Sequence, residues 1–178
     1  MIMKKNFKKI NLKGKATVFV DWANVHGWTK SLKSEIDINI LYKYLKSYPS
    51  IKEVCMYFGK DNHPKSEEFL EQAEKIGYRI ITKPVKYIFI TKLKGKDILK
   101  RKCDFDMEVC IDVHTKIAEK FDSFIFLTGD GDYEPLYRLL IELKKQVVVI
   151  YAKGHLGREI WSIKKGLFKA QLKNLMDI

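Results

Sequence analysis

Cysteine is scarce in this sequence, and what there is does not cluster. Cys55, Cys103 and Cys110 are the only three in 178 residues. None forms a CxxC, and no two histidines stand at zinc-ligand spacing, which excludes a disulfide framework and a zinc ribbon. The thiols read as reduced, in a cytoplasmic protein, with Cys55 and Cys110 packed in the interior. No run of about 18 apolar residues occurs, so no membrane span is expected. The basic stretch Met1–Lys15 is followed only by Ala16–Val20, too short for the apolar region of a signal peptide. Also missing are a Gly-x-Ser-x-Gly elbow, a Walker A loop and a Gly-x-Gly-x-x-Gly after a strand. A serine-hydrolase site and a nucleotide cofactor are therefore not expected.

What is present is length for one α/β domain and an apolar fraction of 46%, ordinary for a chain with a real core. The formal net charge is +12. Such a surplus favours a polyanionic partner, because each neutralised phosphate releases counterions. An anionic membrane surface, or a lysine-rich coat that only keeps the protein soluble, remains open from charge alone.

Strand and helix patterns alternate along the chain. Ala16–Val20 is an apolar strand ending at Asp21. Asp37 caps a helix running to about Tyr48, and Val54–Phe58 is a second strand. Pro64 starts a helix that Gly77 ends, and Tyr78–Thr82 is a third strand. Residues 83–102 predict a basic β-hairpin or flap. A helix follows over about 104–120, then a fully buried strand over Ser123–Thr128. A helix with Pro135 in its first turn comes next, then the strand Gln146–Tyr151. Residues 160–176 predict an amphipathic helix interrupted by Gly166. Strands separated by such helices predict a mostly parallel central sheet with helices on both faces. Residues 1–15 are expected to be a basic tail, and 16–178 a single domain.

Ligands of open parallel sheets bind at the carboxyl ends of the strands. Two strands here run directly into acids: Val18–Val20 into Asp21-Trp-Ala-Asn24, and Phe124–Leu127 into Thr128-Gly-Asp130-Gly-Asp132. Asp106 begins the apolar face of the central helix, in line with Cys110, Val113 and Ile117. Asp104 and Glu108 point to its other, solvated side. Taken singly, Asp21 or Asp132 reads equally well as a turn or helix cap. Three separate elements that deliver acids to one edge of a basic protein read differently. Converging carboxylates need protons or a cation, and all-oxygen ligands favour Mg²⁺ or Mn²⁺. A metal so held can polarise a phosphodiester and activate water.

The stretches Val18-Phe-Val-Asp-Trp-Ala-Asn24, Lys102-Cys-Asp-Phe-Asp-Met-Glu-Val-Cys-Ile-Asp112 and Leu127-Thr-Gly-Asp-Gly-Asp-Tyr-Glu-Pro-Leu136 resemble the NYN domain. This is a PIN-like nuclease fold, and within it the sequence is similar to the bacterial LabA-like group. The resemblance covers roughly residues 16–165 and implies a PIN-like three-layer sandwich and metal-dependent RNA cleavage. It implies Asp21, Asp106, Asp130 and Asp132 as metal-binding acids, with Asn24 supporting the first. It gives Thr128 a hydroxyl for the metal or its water. Asp112 matches a further acid. It lies about 9 Å along the helix from Asp106, so a supporting role fits it better than direct ligation.

Lys83, Lys86, Lys92, Lys94, Lys96, Arg101 and Lys102 interleave with Tyr87 and Phe89, a pattern that suits RNA. It equally suits an edge hairpin protected from aggregation. Lys153 and Arg158 flank a turn, Gly154–Gly157, and join the expected RNA contacts. Trp22 and Trp28 flank the site, where either base stacking or core packing would suit them. The resulting expectation is a metal-dependent endoribonuclease, with homodimerisation left open. The alternative is a non-catalytic RNA- or protein-binding module on the same fold. A haloacid-dehalogenase-like phosphatase is disfavoured, because it needs an acid where Ala23 stands.

Overall fold

The apolar pentads of this chain form its central strands because β-branched and aromatic residues fit a pleated surface covered on both sides. In the computed structural model, which describes residues 9–176, the strands are β1 (Ala16–Asp21), β2 (Ile51–Lys60), β3 (Arg79–Pro84), β4 (Lys86–Leu93), β5 (Lys96–Lys102), β6 (Ser123–Leu127), β7 (Gln146–Tyr151) and β8 (Leu167–Gln171). The helices are α1 (Trp22–Gly27), α2 (Thr29–Leu32), α3 (Ile38–Lys46), α4 (Pro64–Ile76), α5 (Asp106–Ala118), α6 (Glu134–Glu142) and α7 (Arg158–Ser162). Caps end several of them where the sequence expects. Asp37 accepts from the amides of Asn39 and Ile40 at the start of α3, and Gly77, at φ 115°, closes α4 in the left-handed region.

Six strands make one sheet in the order β3-β2-β1-β6-β7-β8, and every pairing within it is parallel. Alternation along the strands builds two cores. Val18, Val20, Met56, Ile125, Leu127 and Val148 face one side, where α1, α3 and α4 pack. Phe19, Tyr57, Phe124, Phe126, Val147 and Val149 face the other, against α5 and α6. The architecture is thus the expected three-layer α/β sandwich. β4 and β5 stand apart as an antiparallel two-stranded arm, turned through Lys94 and Gly95, both at positive φ. That is the backbone a tight hairpin turn requires.

The ends of the chain depart from expectation. The amphipathic helix expected over 160–176 is instead the short α7, the edge strand β8 and a 3-10 turn at Leu172–Asn174. Gly166 takes φ 82° and breaks the helix, and residues 167–171 satisfy the otherwise open edge of β7. Of the basic tail expected over 1–15, residues 1–8 lie outside the described residues. From Ile10 the chain is docked: Ile10 and Leu12 pack on the core, and the Lys13 amide donates to Ser123 Oγ (3.0 Å) and Gln146 Oε1 (2.8 Å). No helix among the described residues is long and apolar enough to cross a membrane.

Candidate active site

β1 and β6 are neighbours, yet the chain winds outward from them in opposite directions, through β2 and β3 on one side and β7 and β8 on the other. The crevice between β1 and β6 is therefore the topological switch point, where open α/β sheets bind ligands. Val20 pairs with Leu127, so the next residues, Asp21 at the end of β1 and Thr128 just past β6, stand side by side. Thr128 Oγ1 lies 3.4 Å from Asp21 Oδ2.

Local backbone chemistry holds both loops. Asp21 caps α1, with Oδ1 accepting from the Asn24 amide (3.2 Å). Asn24 Nδ2 donates to Asp21 Oδ2 (2.8 Å), and Asn24 Oδ1 accepts from the Gly129 amide (3.3 Å). One side chain thus ties the loop after β1 to the loop after β6. Asp130 caps the short 3-10 turn Gly131–Tyr133 by accepting from the Asp132 amide (3.1 Å), and its own amide donates to Thr128 Oγ1 (3.2 Å). Gly129 is required by contact: a Cβ there would fall 1.4 Å from the carbonyl oxygen of His155. The loop before α7 therefore seats directly on the Asp130 loop, with the Gly157 amide bonded to the Gly129 carbonyl (2.7 Å).

Asp106, the first residue of α5, joins these acids from the opposite layer. Burial raises the pKa of Asp21, against hydrogen bonds from Asn24 that lower it, and the charge of Asp130 raises it further. Burial likewise raises that of Asp106. The Tyr133 hydroxyl opposes this, and the charges of Asp130, Asp104 and Asp132 add to it. The charge of Asp130 thus acts on both Asp21 and Asp106, and that of Asp132 on Asp106. Among the described residues, no lysine or arginine forms an ion pair with any of the four. Nor do three acid, histidine or cysteine side chains converge closely enough to enclose a metal ion by themselves.

Tyr133 and Tyr137 are site residues for which sequence reasoning assigned no role. Both are buried; Tyr133 faces Asp106, and the Tyr137 hydroxyl has no partner among the described residues. Burial first, then the charges of Asp130 and Asp21, raise the pKa of Tyr137 well above the ordinary tyrosine value. Tyr133 directly follows the Asp130-Gly-Asp132 motif, a signal that was available. Tyr137, one helical turn on, gives no sign beyond its apolar spacing.

Other expected residues fall elsewhere. Asp112 is turned away from the acids: it accepts from the Tyr57 hydroxyl (2.5 Å) and is paired with Arg79. Six residues beyond Asp106, the helix has carried it to the β2–β3 side, and its link to the site is indirect, through Tyr57 packed edge-on against Phe105 (5.8 Å between centroids). Trp28 is fully buried, and Trp22 packs on Phe69 (4.9 Å), so both serve the core. Glu108 is not merely solvated. It holds Lys83 at 2.8 Å with both oxygens, and Lys83 also lies over the Phe105 ring. Lys83 is therefore occupied within the protein. Lys92 pairs with Asp97 (3.6 Å), Lys102 with Asp104 (2.9 Å), and Arg101 donates to the Gly59 carbonyl (3.2 Å). Lys86, Lys94 and Lys96 are exposed on the arm, Lys153 on the loop that covers Gly129, and Arg158 at the start of α7.

The sequence profile of the NYN domain matches residues 15–164. The Low amplitude and bright protein LabA of Synechococcus elongatus is 25% identical over 151 residues, which covers 80% of this chain and 76% of that protein. A crystal structure of a protein of unknown function from Vibrio parahaemolyticus superposes with a TM-score of 0.67 at 22% identity, over 91% of this chain and 96% of that one. At such identity the likeness is one of fold.

Proposed function

The chain belongs to the NYN domain family, a nuclease-like group, and on that premise we propose that it is a divalent-metal-dependent endoribonuclease centred on Asp21, Asp106 and Asp130, with Asp132 assisting. The observation that carries this reading is uncompensated negative charge at the switch point of a strongly basic protein. Burial first, and the charge of Asp130 after it, raise the pKa of both Asp21 and Asp106, and among the described residues neither forms an ion pair with a lysine or arginine.

A hard divalent ion fits that donor set. Mg²⁺ and Mn²⁺ prefer oxygen, and Mg²⁺ commonly binds through one or two carboxylates, keeping waters and substrate phosphate for its remaining positions. One or two of Asp21, Asp106 and Asp130 would hold the ion at a time, the rest reaching it through its waters, and the ion would supply charge to polarise the phosphodiester and a water acidic enough to serve as nucleophile. Asn24 keeps Asp21 in one rotamer by donating to Oδ2. Thr128 orders the Asp130 loop through the Asp130 amide. Asp132 is exposed and would accept a proton from water. RNA contacts come from Lys86, Lys94, Lys96, Lys153 and Arg158.

A second reading, a non-catalytic RNA- or protein-binding module, is favoured by one observation. Asp21 and Asp130 each also cap a helical turn, a purely structural use of both acids. Cleavage of labelled RNAs with Mg²⁺ or Mn²⁺, beside EDTA and Asp130→Asn, separates the two. Metal-dependent cutting that disappears in the variant while RNA binding persists is the expected result. Cutting that survives in Asp130→Asn and in Asp21→Asn refutes the assignment of the site.

A further inference from the structure

The arm has two unlike faces. In an antiparallel ribbon, directly opposed residues share a face and successive pairs alternate. The pairs Lys86–Lys102, Ile88–Lys100, Thr91–Ile98 and Leu93–Lys96 lie on one face, kept in step by the bulge between Phe89 and Thr91. Tyr87–Arg101, Phe89–Leu99 and Lys92–Asp97 lie on the other. Every residue of both strands is exposed. The aromatics and most of the unpaired lysines thus occupy opposite faces rather than one interleaved surface.

The faces also look at different parts of the protein. The base of the aromatic face docks on the corner after β2: Tyr87 donates its hydroxyl to Asp61, and Arg101 reaches the Gly59 carbonyl. The lysine face ends at the acid site. Lys102 bonds Asp104 at 2.9 Å, two residues before Asp106. The fields of Asp106 and Asp132 also reach Lys102, behind that of Asp104.

We propose that the β4–β5 arm is a one-sided clamp for single-stranded RNA, in which Lys86, Lys96 and Lys100 hold backbone phosphates while Ile88 and Ile98 pack the nucleosides between them, leading the strand to Asp106. This rests on the ribonuclease reading and names the form of its substrate. Lys96 and Lys100 lie four residues apart on β5, about 13 Å, with Ile98 between them on the same face, and Lys86 stands across the ribbon beyond Ile88; that leaves room for a nucleoside between successive phosphate contacts. A two-stranded ribbon enters the major groove of B-DNA, but the major groove of A-form RNA is too deep and narrow for side chains to read. A second copy of the arm is a poor occupant, since each arm carries seven basic side chains against one acid, Asp97.

The test is fluorescence anisotropy of the full chain in EDTA, where no metal-dependent cutting occurs. Labelled single-stranded RNA and a blunt duplex of the same sequence are titrated at several salt concentrations. The wild type is expected to bind the single strand at least about tenfold tighter than the duplex. Lys86→Gln with Lys96→Gln and Lys100→Gln should make the log–log salt slope shallower by about 2, from three phosphate contacts at about 0.7 each. The same charge removed at Lys43, Lys65 and Lys75, on α3 and α4, should leave the slope unchanged. Equal slopes for the two triple variants overturn the clamp, as does equal affinity for duplex. A wild-type dimer in sedimentation that Ile88→Ser with Ile98→Ser splits also overturns it, because a second copy then covers this face. Cutting in Mg²⁺ with an arm-independent slope removes the clamp and leaves the nuclease. An arm-dependent slope without cutting by the wild type supports the clamp and removes the nuclease.

Discussion

Asn24 is the side chain whose loss should separate structure from chemistry most cleanly. It makes a hydrogen bond to an ionised carboxylate, Asp21 (2.8 Å), and accepts one from the Gly129 amide (3.3 Å). A hydrogen bond to a charged group contributes roughly 1.5–3 kcal/mol and a neutral one about 1 kcal/mol. Asn24 is only half-buried, so water replaces part of both, and Asn24→Ala should destabilise the fold by about 2–3 kcal/mol. For a domain of this size, that lowers Tm by roughly 4–12 °C. The larger effect should be on rate. Asp21 loses its fixed rotamer and the two loops lose their tie, and a displacement near 1 Å in such a site lowers the rate by about a hundredfold. Asn24→Asp sharpens the comparison. Its oxygen can still accept from Gly129, but a carboxylate now faces Asp21 and raises the Asp21 pKa further. The assay pairs thermal unfolding with single-turnover RNA cleavage at saturating Mg²⁺. If Asn24→Ala lowers Tm as stated yet cuts within about threefold of wild type, Asn24 is only a clip and the reasoning about Asp21 fails.

Two further outcomes follow from the charges. The pKa values of Asp21 and Asp106 are raised in the folded state, by burial first and neighbouring acids after it. Their protonation therefore contributes stability that is complete below the unfolded carboxyl value, about 3.9, and is lost as pH rises through the raised values. In EDTA the Tm of Asp21→Asn minus that of wild type should be smallest at acid pH and grow toward neutral pH, and Mg²⁺ should shrink it by stabilising wild type alone; a difference flat in pH refutes this account. Asp112→Asn weakens the pairing with Tyr57 and Arg79, and denaturant unfolding should show a loss of about 1–3 kcal/mol. Cleavage by the same variant should stay within about threefold of wild type, and a hundredfold loss would return Asp112 to the active site.

Much of this protein is readable one element at a time. β1, β6 and β7 declare themselves as apolar runs, because strands covered on both faces leave no room for polar residues. Asp37, Pro64 and Gly77 bound their helices by local capping and backbone preference. Asp21 and Asp130 are legible for the same reason, since the one directly follows such a run and the other comes three residues after one, so both emerge at the sheet's carboxyl edge. Residues 160–176 misled because apolar spacing there suits a helix, while the exposed edge of β7 offered unpaired amides and carbonyls to residues 167–171. A local pattern carries no information about a partner strand distant in sequence.

Short-range periodicity and punctuation suffice for the fold class, for the carboxyl edge on which Asp21 and Asp130 stand, and for the existence of a basic arm. Contacts between segments remote in sequence set β1 beside β6 at the switch point, let Asn24 bridge their loops, and give Asp112 to Arg79 and Tyr57. They also decide which cations are available: Lys83 is held by Glu108, whereas Lys86, Lys96 and Lys100 stand on the face of the arm that runs to the acids. Charge is a property of composition, but whether a charge is paired, and which way it faces, depends on strand register and on neighbours remote along the chain.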